Sequence, residues 1–267
     1  MKKKNKQRKS GPVRAIDLFY SVLPLLSIAL LILLWYWISN TRPDLFPTMS
    51  ATWQRFMAMQ NKPIMRLPLI GHIWVSLRRV LLGLAISLVL GISFGVLIGW
   101  NKKLDKLLGT VYFMIRPIPP LAWIPLITVW FGIGEGPKIG IIVIGSLASV
   151  VINTYTGMKN VDMMYLNVGR VFNANTLQMF FEIAIPSALP SIFAGIKTAL
   201  SAAWMVVLAA EMIGANSGVG FLVVRGMDSY DMPLVLVAMV TIGIVGALLS
   251  AVVNFLERSL CPWIGKQ

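Results

Sequence analysis

The chain has 267 residues, 57% of them hydrophobic and 13% charged, with a formal net charge of +14. Its mean hydropathy of +0.77 is far above that of ordinary soluble domains and identifies an integral membrane protein. The positive charge does not call for nucleic acid: the opening Met1-Lys-Lys-Lys-Asn-Lys-Gln-Arg-Lys9 gathers much of it ahead of the first apolar run, where it serves as a topology signal.

That first run, 19–40, ends in Trp35-Tyr36-Trp37 and lacks a small-residue cleavage site, so it reads as a retained anchor. Five further spans are predicted at 75–100, 107–131, 138–158, 189–212 and 233–256. All are expected to be helices, because the strict alternation of barrel strands is missing. An even number puts both termini on one side. With that side cytoplasmic, inside segments carry fifteen Lys or Arg and outside segments eight, Arg78 and Arg79 among the latter.

The second span carries Gly83, Ser87, Gly91, Gly95 and Gly99, a small residue every fourth position on one face. Such a face lets another helix approach closely. The third span places Pro117, Pro119, Pro120 and Pro125 where a continuous helix cannot hold them. A broken helix is predicted there, a feature that in membranes needs protein or a water-lined cavity around it. Arg116 precedes the break and is read either as an intramembrane charge or as a residue reaching the membrane edge.

Between the fourth and fifth spans lies a polar stretch, 160–190. Asp162 is predicted to cap a short helix that runs to about Phe172, Asn173 to take a left-handed C-cap, and a second helix to follow through Leu177, Phe180, Phe181 and Ala184 until Pro186 and Pro190 lead into the fifth span. The hairpin fits equally an interfacial amphipathic element or a docking element. The single cysteine, Cys261, excludes an internal disulfide and a thiolate metal cluster within one chain, and the single histidine, His72, leaves no zinc site.

The run Val168-Gly-Arg-Val-Phe-Asn-Ala174, followed by Phe181-Glu-Ile-Ala-Ile-Pro186-Ser-Ala-Leu-Pro190-Ser-Ile-Phe-Ala-Gly195, resembles the EAA loop in the membrane subunits of binding-protein-dependent ABC importers. Arg116-Pro-Ile-Pro-Pro-Leu-Ala-Trp-Ile-Pro-Leu126, Val129-Trp-Phe-Gly-Ile-Gly-Glu135, Glu211-Met-Ile-Gly-Ala-Asn-Ser-Gly-Val-Gly-Phe221 and the ending Leu256-Glu-Arg…Pro262-Trp-Ile-Gly are similar to its taurine, alkanesulfonate and nitrate branch. The Pro-Pro-Leu-Ala-Trp form is most like the taurine permeases. Asn167, Val168 and Gly169 stand where the family has Glu-Ala-Ala, and Asn173 where it has a turn glycine.

The resemblance implies the all-α type I importer permease fold, six transmembrane helices with a cytoplasmic coupling-helix loop. It divides the chain into a basic tail (1–18), a first helix and periplasmic connection (19–64), a permease core (65–257) with the coupling loop at 160–188, and a C-terminal tail (258–267). It implies an ATP-driven importer of a bacterial inner membrane, both termini cytoplasmic, carrying taurine or another alkanesulfonate, with nitrate, bicarbonate or a thiamine precursor as alternatives. Two copies of the chain, two ATPase subunits and a periplasmic or lipid-anchored binding protein would assemble, surrounded by membrane lipid.

Contacts with the ATPase are expected at Asn167, Gly169, Arg170, Phe172, Asn173 and Ala174, and a translocation path at Arg116, Pro119, Pro120, Trp123, Ser201, Trp204 and Glu211. No phosphate-binding Gly-x-x-x-x-Gly-Lys-Ser/Thr motif occurs. ATP and Mg are therefore expected on the separate ATPase, with no cofactor in this chain. A secondary transporter would need ionisable residues in several spans and internal repeats, and a membrane enzyme would need clustered acids, bases or metal ligands. The ten acids, scattered over loops and span ends, favour neither.

Overall fold

A computed structural model of the protein describes residues 12–43 and 46–260, and these are helical with short connections. The basic segment 1–11 and the closing residues 261–267, Cys261 included, lie outside the described residues. In chain order the helices are α1 (Pro12–Thr41), α2 (Met49–Asn61), α3 (Leu69–Trp100), α4 (Lys102–Ile115), α5 (Pro120–Phe131), α6 (Glu135–Lys159), α7 (Met163–Val171), α8 (Thr176–Gly214), α9 (Val219–Asp228) and α10 (Met232–Leu260).

Four of them, α3, α6, α8 and the Met232–Leu256 part of α10, are long and apolar enough to cross a bilayer. In α1 the described apolar helix, Leu25–Thr41, is shorter. The predicted break in the third span is real: α4 and α5 meet at 90° around Arg116–Pro119. Neither leg alone covers the roughly 30 Å of a hydrocarbon core at 1.5 Å per residue.

The small-residue stripe explains why the two legs together amount to one crossing. Gly83, Ser87, Gly91, Gly95 and Gly99 of α3 face Ile142, Ser146, Val150, Thr154 and Met158 of α6, position for position over successive turns. A Cβ on Gly91 would stand 2.8 Å from the Val150 Cβ, and one on Gly95 2.7 Å from the Thr154 Cβ. At the centre of the seam the Ser87 and Ser146 hydroxyls hydrogen-bond at 2.6 Å, and Ser87 also donates to the Val143 carbonyl at 3.0 Å. Since residue numbers rise together along both helices, α3 and α6 run parallel. The chain leaves α3 at one end of the bundle and enters α6 at the other, so α4 and α5 carry it across.

At the first end, Lys159 at the close of α6 pairs with Asp105 in α4 at 2.6 Å. At the other, Arg79 near the start of α3 meets Glu135 at the start of α6. The helix α8 returns to that second end, and α10 runs back beside it, with Gly246 against Trp204. The short helix α2 lies at the second end, where Arg55 pairs with Asp231, and Trp35 of α1 donates to the Pro47 carbonyl at 3.0 Å.

Two expectations need correction. Pro186 and Pro190 do not end a helix, since α8 continues through both from Thr176 to Gly214. The strain is taken up one turn earlier, where residues Met179–Ala184 widen into a π-turn. Proline cannot donate to the carbonyl four residues back and crowds it, and a widened turn makes room for the ring. The second span likewise starts at Leu69 and not near 75, which moves His72 from a loop into a helix and buries Arg79, expected among the outside charges.

Candidate functional site

Three groups of side chains stand out, and the first is the hairpin between α6 and α8. Asp162 caps α7 by accepting from the Met164 amide at 2.8 Å. At the other end Asn173 has φ +54°, the Ala174 amide donates to the Gly169 carbonyl at 2.9 Å and the Asn173 amide to the Arg170 carbonyl at 3.0 Å. This pair of bonds is the Schellman closure, with Asn in the left-handed position usually held by glycine. Asn175 then opens α8 with a reciprocal capping box to Gln178. Gly169 is buried because a Cβ there would come within 2.7 Å of the Ile183 Cδ1.

Asn167, Arg170, Phe172 and Asn173 are exposed, Asn167 accepting from Arg170 at 3.1 Å, and Ala174 is half-buried. Around them Met163, Met164, Tyr165, Val171, Phe172, Leu177 and Phe181 are each more than half exposed. A patch of this size on a polar hairpin marks an interaction surface.

The second group surrounds the break between α4 and α5. A cavity of about 470 Å³ is lined by Tyr112, Arg116, Pro120 and Trp123 on one side and by Ile144, Gly145, Leu147 and Ala148 of α6 on the other. Arg116 is exposed toward it and makes no ion pair among the described residues. The buried Tyr112 hydroxyl has no hydrogen-bond partner among the described residues. Pro119 is exposed at the bend and does not line the cavity.

Ser201 and Trp204 lie elsewhere, in a smaller pocket between α8 and α10. Thr198, Ser201 and Met205 form an exposed stripe of α8 between the face packed on α6 and the face packed on α10.

Glu211 belongs to neither group. It is 1% exposed and accepts from Arg79 Nη1 at 2.7 Å, from Ser76 Oγ at 2.8 Å and from the Gly220 amide at 3.0 Å. Arg79 spends all five N–H donors: two on Glu135 at 2.6 and 2.7 Å, one on Glu211, one on the Ser217 carbonyl at 2.8 Å and one on the Ser217 hydroxyl at 3.2 Å. Ser76 also accepts from the Val219 amide at 2.9 Å. His72 Nδ1 accepts from the Gly218 amide at 3.1 Å, which leaves the ring proton on Nε2 to donate to the Ile64 carbonyl at 3.1 Å.

The cluster fastens α3, α6, α8 and the turn into α9 at one point. Gly218 has φ +114°, and a Cβ there would run into the Glu211 carboxylate. The sequence signal was Gly218-Val-Gly220 following Glu211; its partner Arg79, 132 positions away, carried none.

Residues 87–266 match the family model for the binding-protein-dependent transport system inner membrane component. The chain belongs to this family. A probable ABC transporter permease protein of Brucella melitensis is 36% identical, covering 90% of this chain and 96% of its own. The nitrate import permease protein NrtB of a Synechocystis species is 30% identical over 96% and 95%, and the taurine transport system permease protein TauC of Escherichia coli 29% over 90% and 89%. Among solved structures, a chain of the MetNI methionine ABC transporter in inward-facing conformations superposes with a TM-score of 0.64 at 19% identity, covering 72% of this chain and 95% of that one.

This permease is thus a non-catalytic transport subunit of an ABC importer with the type I fold, in the branch that includes taurine, sulfonate and nitrate systems. Its family works with ATPase and substrate-binding partners. The permease brings Arg116, Pro120 and Trp123 to one cavity, sets Ser201 and Trp204 at another, and holds Glu211 inside the protein.

Proposed function

We propose that the permease forms the membrane path of an importer for a small organic or inorganic oxyanion, with taurine or another alkanesulfonate as the substrate class. The observation that carries this is the cavity at the α4–α5 break. It combines the Arg116 guanidinium and the Tyr112 hydroxyl, which has no partner among the described residues, and none of those residues puts a carboxylate on its lining. A cation in a low-dielectric path attracts an anion, and a fixed carboxylate would repel it. The similarity to taurine and nitrate permeases supports the same charge. Release demands weak binding, and one exposed arginine suits that.

In this reading the end of the bundle that carries α7 is cytoplasmic, both termini lie there, and two copies of the chain pair so that their α8 stripes and broken helices face the path. The exposed apolar hairpin docks on an ATPase, one per copy, and ATP and Mg are held by those subunits. A periplasmic or lipid-anchored binding protein delivers solute at the opposite end. Nucleotide-driven closure draws the two hairpins together, a two-state change of rigid bodies.

Uptake of radiolabelled taurine into proteoliposomes holding the full assembly tests the substrate class. ATP-dependent accumulation that unlabelled alkanesulfonates suppress and amino-acid amides, which lack an oxyanion group, do not is expected; accumulation of only solutes without an oxyanion group overturns it. Arg116→Ala is expected to lower uptake at least tenfold while the complex still assembles, and normal uptake by that variant removes Arg116 from the path.

The turn makes a separate claim. Asn173→Gly should leave ATPase co-purification intact. Asn173→Val, whose branched Cβ resists a left-handed backbone by roughly 1–2 kcal/mol, should weaken it; undiminished association would show that the Schellman turn does not shape the docking surface.

A further inference from the structure

The hairpin and the end of α6 form one packed body. Val161, in the link between them, is buried with Met158 of α6 and with Ala184, Ala188 and Ile192 of α8, and Leu166 of α7 packs on the same cluster. Whatever displaces the hairpin therefore displaces Lys159, the last residue of α6. From there two contacts reach α4. Lys159 Nζ donates to Asp105 Oδ2 at 2.6 Å, and the same ammonium stands 5.1 Å from the centre of the Tyr155 ring. Tyr155 in turn meets Phe113 of α4 edge to face, with ring centres 5.3 Å apart. Phe113 touches its neighbour Tyr112, ring centres 5.6 Å apart, and Tyr112 borders the Arg116 cavity.

The backbone of α4 is shaped around this carboxylate. Residues Asp105–Gly109 form a π-turn, a widening of the regular helix that recurs at functional positions. Gly109 is buried, and a Cβ there would stand 2.8 Å from Asp105 Oδ1, so glycine leaves the space that the carboxylate occupies. Stability does not account for the pair: the Lys159 and Asp105 side chains are 39% and 18% exposed, and ion pairs so open to solvent contribute little to folding. What the pair fixes is the position of α4 against α6. We propose that Asp105 and Lys159 are a positioning pair that yokes the broken span to the hairpin, so that movement of the hairpin is passed along α4 to the Arg116 cavity. This link rests on the reading of the hairpin as a docking element and of the cavity as part of the path.

The full transporter in proteoliposomes tests the link, with Ile118→Cys on the cavity lining, Cys261→Ser to remove the native thiol, and a charged maleimide as probe. The rate of thiol modification, with and without ATP and vanadate, needs no solute, so it stands apart from the substrate class. With the pair intact, trapping the ATPase is expected to change that rate by about fivefold or more, the lower end of ordinary coupling between sites. Asp105→Asn and Lys159→Met should each assemble with the ATPase and hydrolyse ATP, yet lose most of this response and, with it, uptake per ATP hydrolysed. Exchanging the charges, Asp105→Lys with Lys159→Asp, should restore both. A thiol that ignores nucleotide while the pair is intact defeats the docking and path reading itself. A response undiminished in Asp105→Asn, or one lost in the single variants and not regained by the exchange, overturns the yoke, as does failure of the single variants to assemble.

Discussion

Glu211→Ala is expected to cost this permease about 3–5 kcal/mol, the range for breaking a buried ion pair by removing one partner, and to abolish most folded protein in the membrane. The carboxylate accepts from Arg79, Ser76 and the Gly220 amide. Without it the Arg79 Nη1 proton and a backbone amide are stranded in a site with almost no water. Glu135→Ala removes the other acid of the same cluster, but its side chain is 43% exposed; water can replace it, and a smaller loss is expected. Glu211→Leu with Arg79→Met should recover part of the stability lost by either change alone, because the pair is then replaced by apolar groups. Retention of folded protein after heating, followed by fluorescence-detected size exclusion, reads all five variants, the two single changes of the pair included. A Glu211→Ala protein as stable as wild type would show the cluster contributes nothing.

The second large effect is expected at the seam of α3 and α6. In Gly95→Leu the new Cβ would lie 2.7 Å from the Thr154 Cβ and 2.9 Å from the Val151 carbonyl oxygen. Backbone cannot yield as a side-chain tip can, so the helices must part along neighbouring turns. Overpacking of this kind costs about 1–3 kcal/mol for modest insertions, and more where backbone has to move. Gly243→Leu, on α10, meets nothing within 4 Å and is expected to be tolerated. Equal melting behaviour of the two variants would contradict the close seam.

Much of this architecture is legible in the sequence, because membrane helices advertise themselves by length and small residues by spacing. The four-residue repeat from Gly83 to Gly99 gave the packing face, the prolines gave the broken span, and Asn173 gave the turn. What stayed hidden depends on partners far apart in the chain. Arg79 beside Arg78 reads as one more flanking charge, and only its meeting with Glu135 and Glu211 makes it structural. Pro186 and Pro190 read as a stop because local propensity opposes a helix there; the π-turn before them offsets that propensity, and residue order does not announce a π-turn. Of the residues assigned to a path, Arg116, Pro120 and Trp123 share a cavity because the bend puts them there. Glu211 looked similar in sequence and is spent on holding helices together.

The uninterrupted course of α8 has a mechanical consequence. From Thr176 beside the α7 turn to Gly214 it is one rod of 39 residues, about 58 Å at 1.5 Å per residue, with a π-turn in place of a hinge. Any displacement applied at α7 is therefore delivered as leverage along its whole length, past Ser201 and Trp204, to the Glu211 knot at the other tip. That knot serves as a fulcrum: the more firmly Arg79 pins it, the more a push at the hairpin becomes rotation and the less it becomes sliding.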